Sequence, residues 1–169
     1  NMGFNEVISY AFIEESYAEL LADKKHDLIR LKNPLAGLAV MRNNLITDMV
    51  KTLQHNINRG YDSLRVFELA RVFHGETADT QPLYLAGLIY GKHHAGWSEK
   101  PRQVDFYDLK SIVENLFSAY GKLDFNTLND SPLFHPGRTA NIIINGINVG
   151  MLGQLHPKLG QPLGLDLLP

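Results

Sequence analysis

Apolar and polar positions along the chain fall into short periodic segments punctuated by glycine and proline. Residues 5–13 (NEVISYAFI) are dense in β-branched and aromatic side chains and predict a buried strand. Residues 14–22 (EESYAELLA) hold good helix formers and predict a short helix. Residues 26–31 (HDLIRL) predict a second short strand. Asn33-Pro34 predicts a turn, because the proline ring restricts both residues. From 41 to 58, Leu45, Ile46, Met49, Val50, Leu53 and Ile57 recur at i, i+1, i+4, i+5, i+8 and i+12, which makes one apolar stripe of a helix. Gly60 is its expected C-terminal cap.

Residues 63–74 (SLRVFELARVFH) predict a strand with Val66, Glu68 and Ala70 on one face and Phe67 and Leu69 on the other. A polar turn over 75–81 leads to a strand at 84–90 (YLAGLIY), and the two predict a hairpin. Residues 91–103 hold two glycines, a proline, two histidines and Trp97, the composition of a loop. Asp105 is a candidate helix N-cap. Behind it Leu109, Ile112, Val113, Leu116, Phe117 and Tyr120 form a second apolar stripe. Residues 123–128 predict a short strand. Residues 138–144 and 147–152 flank Asn145-Gly146, a strong hairpin signal because both residues tolerate positive φ. His156-Pro157 starts a turn or short helix. Hairpins outnumber strand-helix-strand units, so the expected class is α+β, an antiparallel sheet with helices laid on it.

Length and composition narrow the function. A chain of 169 residues fits one domain, 1–169, with a core large enough to need no staples. The Asn1-Met2-Gly3 start and the apolar Leu165-Asp166-Leu167-Leu168-Pro169 stop suggest a piece of a longer protein. An apolar content of 44% is too high for disorder. Sixteen basic residues against eighteen acidic ones argue against a stand-alone non-specific nucleic-acid binder. The absence of cysteine removes disulfides, thiolate zinc sites and a thiol nucleophile. No apolar run approaches the ~18 residues of a membrane span, and no signal peptide opens the chain. The expectation is a soluble cytoplasmic domain with no membrane partner.

Candidate chemistry is sparse. His93-His94 is a poor chelate, since neighbouring side chains on an extended loop point apart, and no HExxH is present. His135 and His156 each precede a proline; they either shape turns by hydrogen bonding or converge as a pair. Gly150 and Gly153 sit in a strand pattern with only Lys158 as a nearby cation, a weak phosphate loop. Asp105 and Asp108, three apart, are explained by helix-start electrostatics. Asp48, Lys51, Thr52, His55 and Asn56 line the other face of the 41–58 helix, either as a solvated surface or as a polar interface with another chain. No metal site emerges.

Several segments in order carry more weight than any one. They are GFNEVISYAF (3–12), LKNPLAGLAVMRNNLITDMVKTLQHNINRG (31–60), LRVFELARVF (64–73), VDFYDLKSIVENLF (104–117), HPGRTANI (135–142) and GQLHPKLG (153–160). Together they resemble the class II synthetase-like module of bacterial phenylalanyl-tRNA synthetase β subunits, over essentially the whole chain. The resemblance implies a class II aminoacyl-tRNA synthetase-like antiparallel β-sheet flanked by helices, kept without the chemistry. It implies a β subunit that pairs with a catalytic α subunit in an α2β2 enzyme, which uses ATP and magnesium to attach phenylalanine to tRNA(Phe). The implied partners are the α subunit, the remainder of the β subunit and, through the whole assembly, tRNA(Phe). No cofactor is expected in this chain, and the family's editing site, its metal-associated acids and its anticodon-recognition domain are expected elsewhere. The matching interface positions, toward the α subunit or a second β subunit, are Asn33, Pro34, Met41, Arg42, Asn44, Leu45 and Met49.

The same resemblance places Glu68, Arg71, His135, Pro136, Gly137 and Arg138 at a vestigial cleft or in structural roles. Catalytic relatives carry an arginine on the second-motif strand for the ATP α-phosphate and another in the third motif. Glu68 stands where the first would be, and the second is absent. A carboxylate there repels triphosphate. Glu68 is then expected to pair with Arg65, Arg71 or Arg138. The competing expectations are a vestigial nucleotide- or amino-acid-binding module and a small RNA-binding domain. For the latter, Lys51, Arg59, Arg65 and Arg71 are scattered among acids. An apolar patch near residues 45–57 and some self-association are also expected.

Overall fold

A computed structural model describes residues 2–21, 27–93, 100, 102–128 and 131–165. The chain is mixed α+β with mostly antiparallel sheets and, among the described residues, four helices. It divides into two compact units, Gly3–Gly91 and Lys92–Pro169. None of the described helices is long and apolar enough to cross a membrane.

The first unit opens with β1 (Asn5–Glu6), β2 (Phe12–Glu14) and α1 (Glu15–Leu21). The single strand expected over 5–13 is therefore broken. Val7 N still donates to Phe67 O at 2.9 Å, but Ser9 N donates to the Glu68 carboxylate at 3.1 Å. A side chain takes over from the backbone ladder, and the chain leaves the sheet with Ile8 93% and Tyr10 77% exposed.

Next come β3 (Arg30–Leu35), β4 (Leu38–Met41) and α2 (Ile46–Ile57). Asn33 and Pro34 do not turn. They lie inside β3, which is the edge of the sheet ordered β2-β4-β3, where the proline's missing N–H breaks no ladder. The turn follows at Ala36 and Gly37, both at positive φ. The expected 26–31 strand is thus shifted toward the C-terminus, and His26 lies outside the described residues. β4 ends on Met41, the first residue of the predicted 41–58 helix, which begins instead at Ile46. Its Val40 is fully buried between two partner strands, and a short apolar run of this kind has no periodicity to tell strand from helix.

α2 starts where Asn44 Oδ1 accepts from Ile46 N at 2.8 Å while its amide donates to Leu21 O at the end of α1. Met49, Val50 and Leu53 are buried, and Gly60 at φ +83° closes the end as expected. β5 (Ser63–Arg71) then pairs antiparallel with β6 (Leu83–His93), with Val66 and Glu68 turned inward. β1 joins the other edge of β5 in parallel, an exception to the antiparallel expectation. Gly91 is required at the first rung, because a Cβ there would lie 1.8 Å from Asp62 O.

In the second unit the end of β6 pairs with β7 (Arg102–Gln103), where a loop was expected; residues 94–99 and 101, with His94 and Trp97, are outside the described set. α3 (Phe106–Phe117) packs on the antiparallel sheet of β8 (Leu123–Thr127), β9 (Phe134–Ile144) and β10 (Ile147–Leu155), ordered β10-β9-β8. Val113 meets Ala140, Ile142 and Leu152, with Leu109, Phe117 and Phe125 around them. Tyr120 of the predicted stripe falls beyond the helix and is exposed. Asn145 and Gly146 both take positive φ in the β9–β10 turn. A 3-10 turn at Pro157–Leu159 and α4 (Gly160–Leu163) complete the unit.

Asp105 caps α3 in a reciprocal box. Its carboxylate accepts from Tyr107 N and Asp108 N, and Asp108 accepts from Asp105 N. Arg102 forks onto Asp108 at 2.6 Å and holds that carboxyl down at about 2. Replacing Asp105 with alanine leaves the α3 donors unpaired. The variant should lose about 1 kcal/mol of stability in urea unfolding, with an unchanged denaturant slope.

Candidate functional site

The most unusual chemistry lies inside the first unit. Arg42 follows β4 and is clamped by its backbone: its N–H donates to Ala11 O at 3.0 Å and its carbonyl accepts from Phe73 N at 2.9 Å. The guanidinium is thereby aimed inward. Its Nη1 donates to Asp48 at 2.9 Å and to Glu68 at 3.0 Å, and its Nε to Arg71 O at 3.1 Å. Arg42 is 3% exposed, Asp48 6% and Glu68 3%.

One cation therefore serves two buried carboxylates. Burial pushes Asp48 up to about 6; the hydrogen bond and charge of Arg42 oppose the rise, and Glu68 adds to it. Glu68 Oε2 is buried with no hydrogen-bond partner among the described residues. Such a cluster specifies an arrangement more than it stabilises one, since desolvation offsets most of the attraction. Removing its cation is a different matter, because two uncompensated charges would remain.

Asp48 also reaches the surface of a groove of about 730 Å³. Ile8, Ser9, Tyr10, Phe12 and Leu38 line it together with Asp48, Lys51, Thr52 and His55 of α2. Lys51 is anchored by Glu14 at 3.0 Å and stands 5.0 Å from the Tyr17 ring centre, and Tyr17 donates to Gln54 at 2.8 Å. The groove has apolar side chains projecting beside a partly charged helix face, the makings of a recognition surface.

The predicted site residues fall in different places. Asn33 and Pro34 are exposed on the β3 edge, and Met41 and Asn44 are half-buried. Arg42, Leu45 and Met49 are only 2–3% exposed, covered by this chain's own atoms. They can serve an interface only by holding α2 in place. The apolar stripe of 45–57 itself faces inward, and the exposed apolar groups beside the helix, across the groove, are Ile8 and Tyr10. Glu68 pairs with Arg42, which was not among its expected partners Arg65, Arg71 and Arg138. Arg71 donates instead to Gln81 O at 2.6 Å, and Arg138 to Gln154 at 2.9 Å.

In the second unit Gly150 and Gly153 lie within β10, and His135, Pro136, Gly137 and Arg138 within β9. His135 and His156 each close a turn, and their rings approach to 6.3 Å between centres. Among the described residues no three histidine or carboxylate side chains are grouped to hold a metal. Sequence reasoning missed the burial of Asp48. The signal was its spacing: three residues after Leu45, it shares the buried face.

Comparison with known proteins decides the family. The profile described as "Phenylalanyl tRNA synthetase beta chain CLM domain" matches residues 1–167. The chain belongs to that family. It is 44% identical, over 99% of its length, to the phenylalanine–tRNA ligase beta subunit of Neisseria meningitidis serogroup A, of which it covers 21%. Similar beta subunits from Chromobacterium violaceum and Bordetella parapertussis are 41% and 40% identical over 98% of the chain, which covers 21% and 22% of them. The chain thus spans about a fifth of the length of these relatives.

Two outcomes follow from the buried cluster. Arg42→Met should destabilise the protein by about 3–5 kcal/mol in chemical denaturation, the cost of leaving buried carboxylates without their cation. Asp48 binds its proton more tightly folded, at about 6, than at its ordinary 3.8. Its contribution to stability is therefore fully present below about 4 and declines as pH rises toward 6. Asp48→Asn should flatten that decline in a stability–pH profile; an unchanged slope would exclude Asp48 as its source.

Proposed function

We propose that this chain is a non-catalytic, class II synthetase-like scaffold of a phenylalanyl-tRNA synthetase β subunit. In this reading it supports a catalytic α subunit in a cytoplasmic α2β2 enzyme that attaches phenylalanine to tRNA(Phe) with ATP and magnesium. The observation that carries the reading is Glu68. On the inward face of β5, where a catalytic relative would present an arginine to the ATP α-phosphate, this chain has a buried carboxylate locked to Arg42. A phosphate approaching Glu68 meets like charge in a poorly screened interior. The carboxylates of the cluster are also poor magnesium ligands, since both already accept from Arg42.

Support of the α subunit then falls to shape. Ile8 and Tyr10 project beside the groove, and exposed apolar side chains next to polar ones are what a partner surface covers. Asn33, Pro34 and Asn44 flank or cap the same elements, while Arg42, Leu45 and Met49 brace α2 from within. The remainder of the β subunit and tRNA(Phe) complete the assembly.

Two measurements test this. Calorimetric titration of ATP into the β subunit alone should give no saturable heat from this domain, and saturable binding that substitutions in this domain weaken would overturn the scaffold reading. Ile8→Asp combined with Tyr10→Ala should lower α-subunit association by at least about tenfold in a pull-down of full-length subunits.

A further inference from the structure

The second unit brings together two side chains that lie far apart in the chain. His135 Nδ1 accepts the backbone N–H of Gly137 at 3.1 Å, and His156 Nδ1 accepts that of Lys158 at 3.1 Å. Each imidazole thus closes a turn over the proline that follows it. The β9–β10 register sets the two turns side by side. Leu155 stands opposite Phe134, His156 N donates to Leu133 O at 2.8 Å, and the ring centres lie 6.3 Å apart.

The strand itself is deformed here. Thr139 pairs with Gly153 and Phe134 with Leu155, so residues 135–138 bulge out opposite Gln154. Arg138 Nη1 ties the bulge down by donating to Gln154 at 2.9 Å. Bulges of this kind re-aim side chains.

Tautomer chemistry says what the pair offers. A neutral imidazole has one donor and one acceptor nitrogen. With Nδ1 accepting in both rings, the proton sits on Nε2 in both. That arrangement disfavours metal ligation, which needs a lone pair on Nε2. It presents two N–H donors instead. An asparagine would close the same turns by accepting the same N–H, but its amide donors lie closer to the backbone, so a donor at the Nε2 position is the feature that histidine adds. Arg138 and Lys158, both exposed, place two positive charges on the same two turns. Neutral donors combined with cations recognise a phosphate oxyanion.

We propose that these paired His-Pro turns form a phosphate-binding site, and that its occupant is a phosphodiester of RNA. The source of the phosphate rests on the tRNA-ligase reading above; the site rests on the geometry alone. One such contact does not make a free-standing RNA-binding module, in keeping with the net charge of −2. It positions a strand already held by a larger assembly.

The test uses the full-length β subunit co-expressed with its α subunit. His135→Asn with His156→Asn keeps both turn acceptors and deletes both distal donors. Arg138→Gln with Lys158→Gln removes the charges, and each single charge variant guards against a folding defect. Filter binding of tRNA across a salt series is expected to show the charge variants losing about one in the slope of log affinity against log salt. The asparagine variants should bind about five- to tenfold more weakly at an unchanged slope. In a second arm, inorganic phosphate replaces chloride at equal ionic strength and the thermal midpoint is read in wild type and variants. A phosphate-specific rise in wild type alone, with tRNA binding unaffected, keeps the site but overturns RNA as its occupant. No difference in either arm, with α association and circular dichroism intact, overturns the site. Failure of the wild-type subunits to associate would count against the scaffold reading instead.

Discussion

The guanidinium of Arg42 is the constraint on which the first unit depends. Its backbone bridges the ends of two strand systems, and its side chain holds a helix carboxylate and a strand carboxylate together. Neither Asp48 nor Glu68 could be buried without it. The cluster adds little net stability, because desolvation consumes most of the attraction. What it supplies is registration: α2 can sit over β5 in one position only, the one in which a single cation reaches both acids.

That registration links fold to function. Glu68 also accepts from Ser9 N, so the strand carboxylate that is tied to Arg42 draws the chain off the ladder after Val7. The same displacement pushes Ile8 and Tyr10 into solvent beside the groove. Glu68 acts here as a brace: one carboxylate holds both the Arg42 guanidinium and the Ser9 amide. The exposure of Ile8 and Tyr10 is a by-product of the brace.

Much of this was legible in the residues. The Asn145-Gly146 turn, the Asp105 cap, the β5–β6 hairpin and the inward face of Val66 and Glu68 follow from local rules that tertiary contacts reinforce. The failures share a cause. Residues 38–41 form a strand because β2 and β3 bracket them, and the chain leaves the sheet after Val7 because of a carboxylate about sixty positions away from Ser9. Pro34 suggested a turn because proline usually marks one, yet an edge strand tolerates it. The partner of Glu68 was missed because Arg42 looked like surface chemistry. Only the packing shows that its charge is inside.

Pro34 has one more consequence. An outermost strand normally invites a stranger to zip onto it, chain against chain, through its unused amide hydrogens. With an imino acid next to the last residue of β3, that row of hydrogens is interrupted. Any neighbour meeting this rim must recognise it by side-chain fit rather than by extending the sheet. The outer border of this sheet is thereby kept from polymerising with copies of itself.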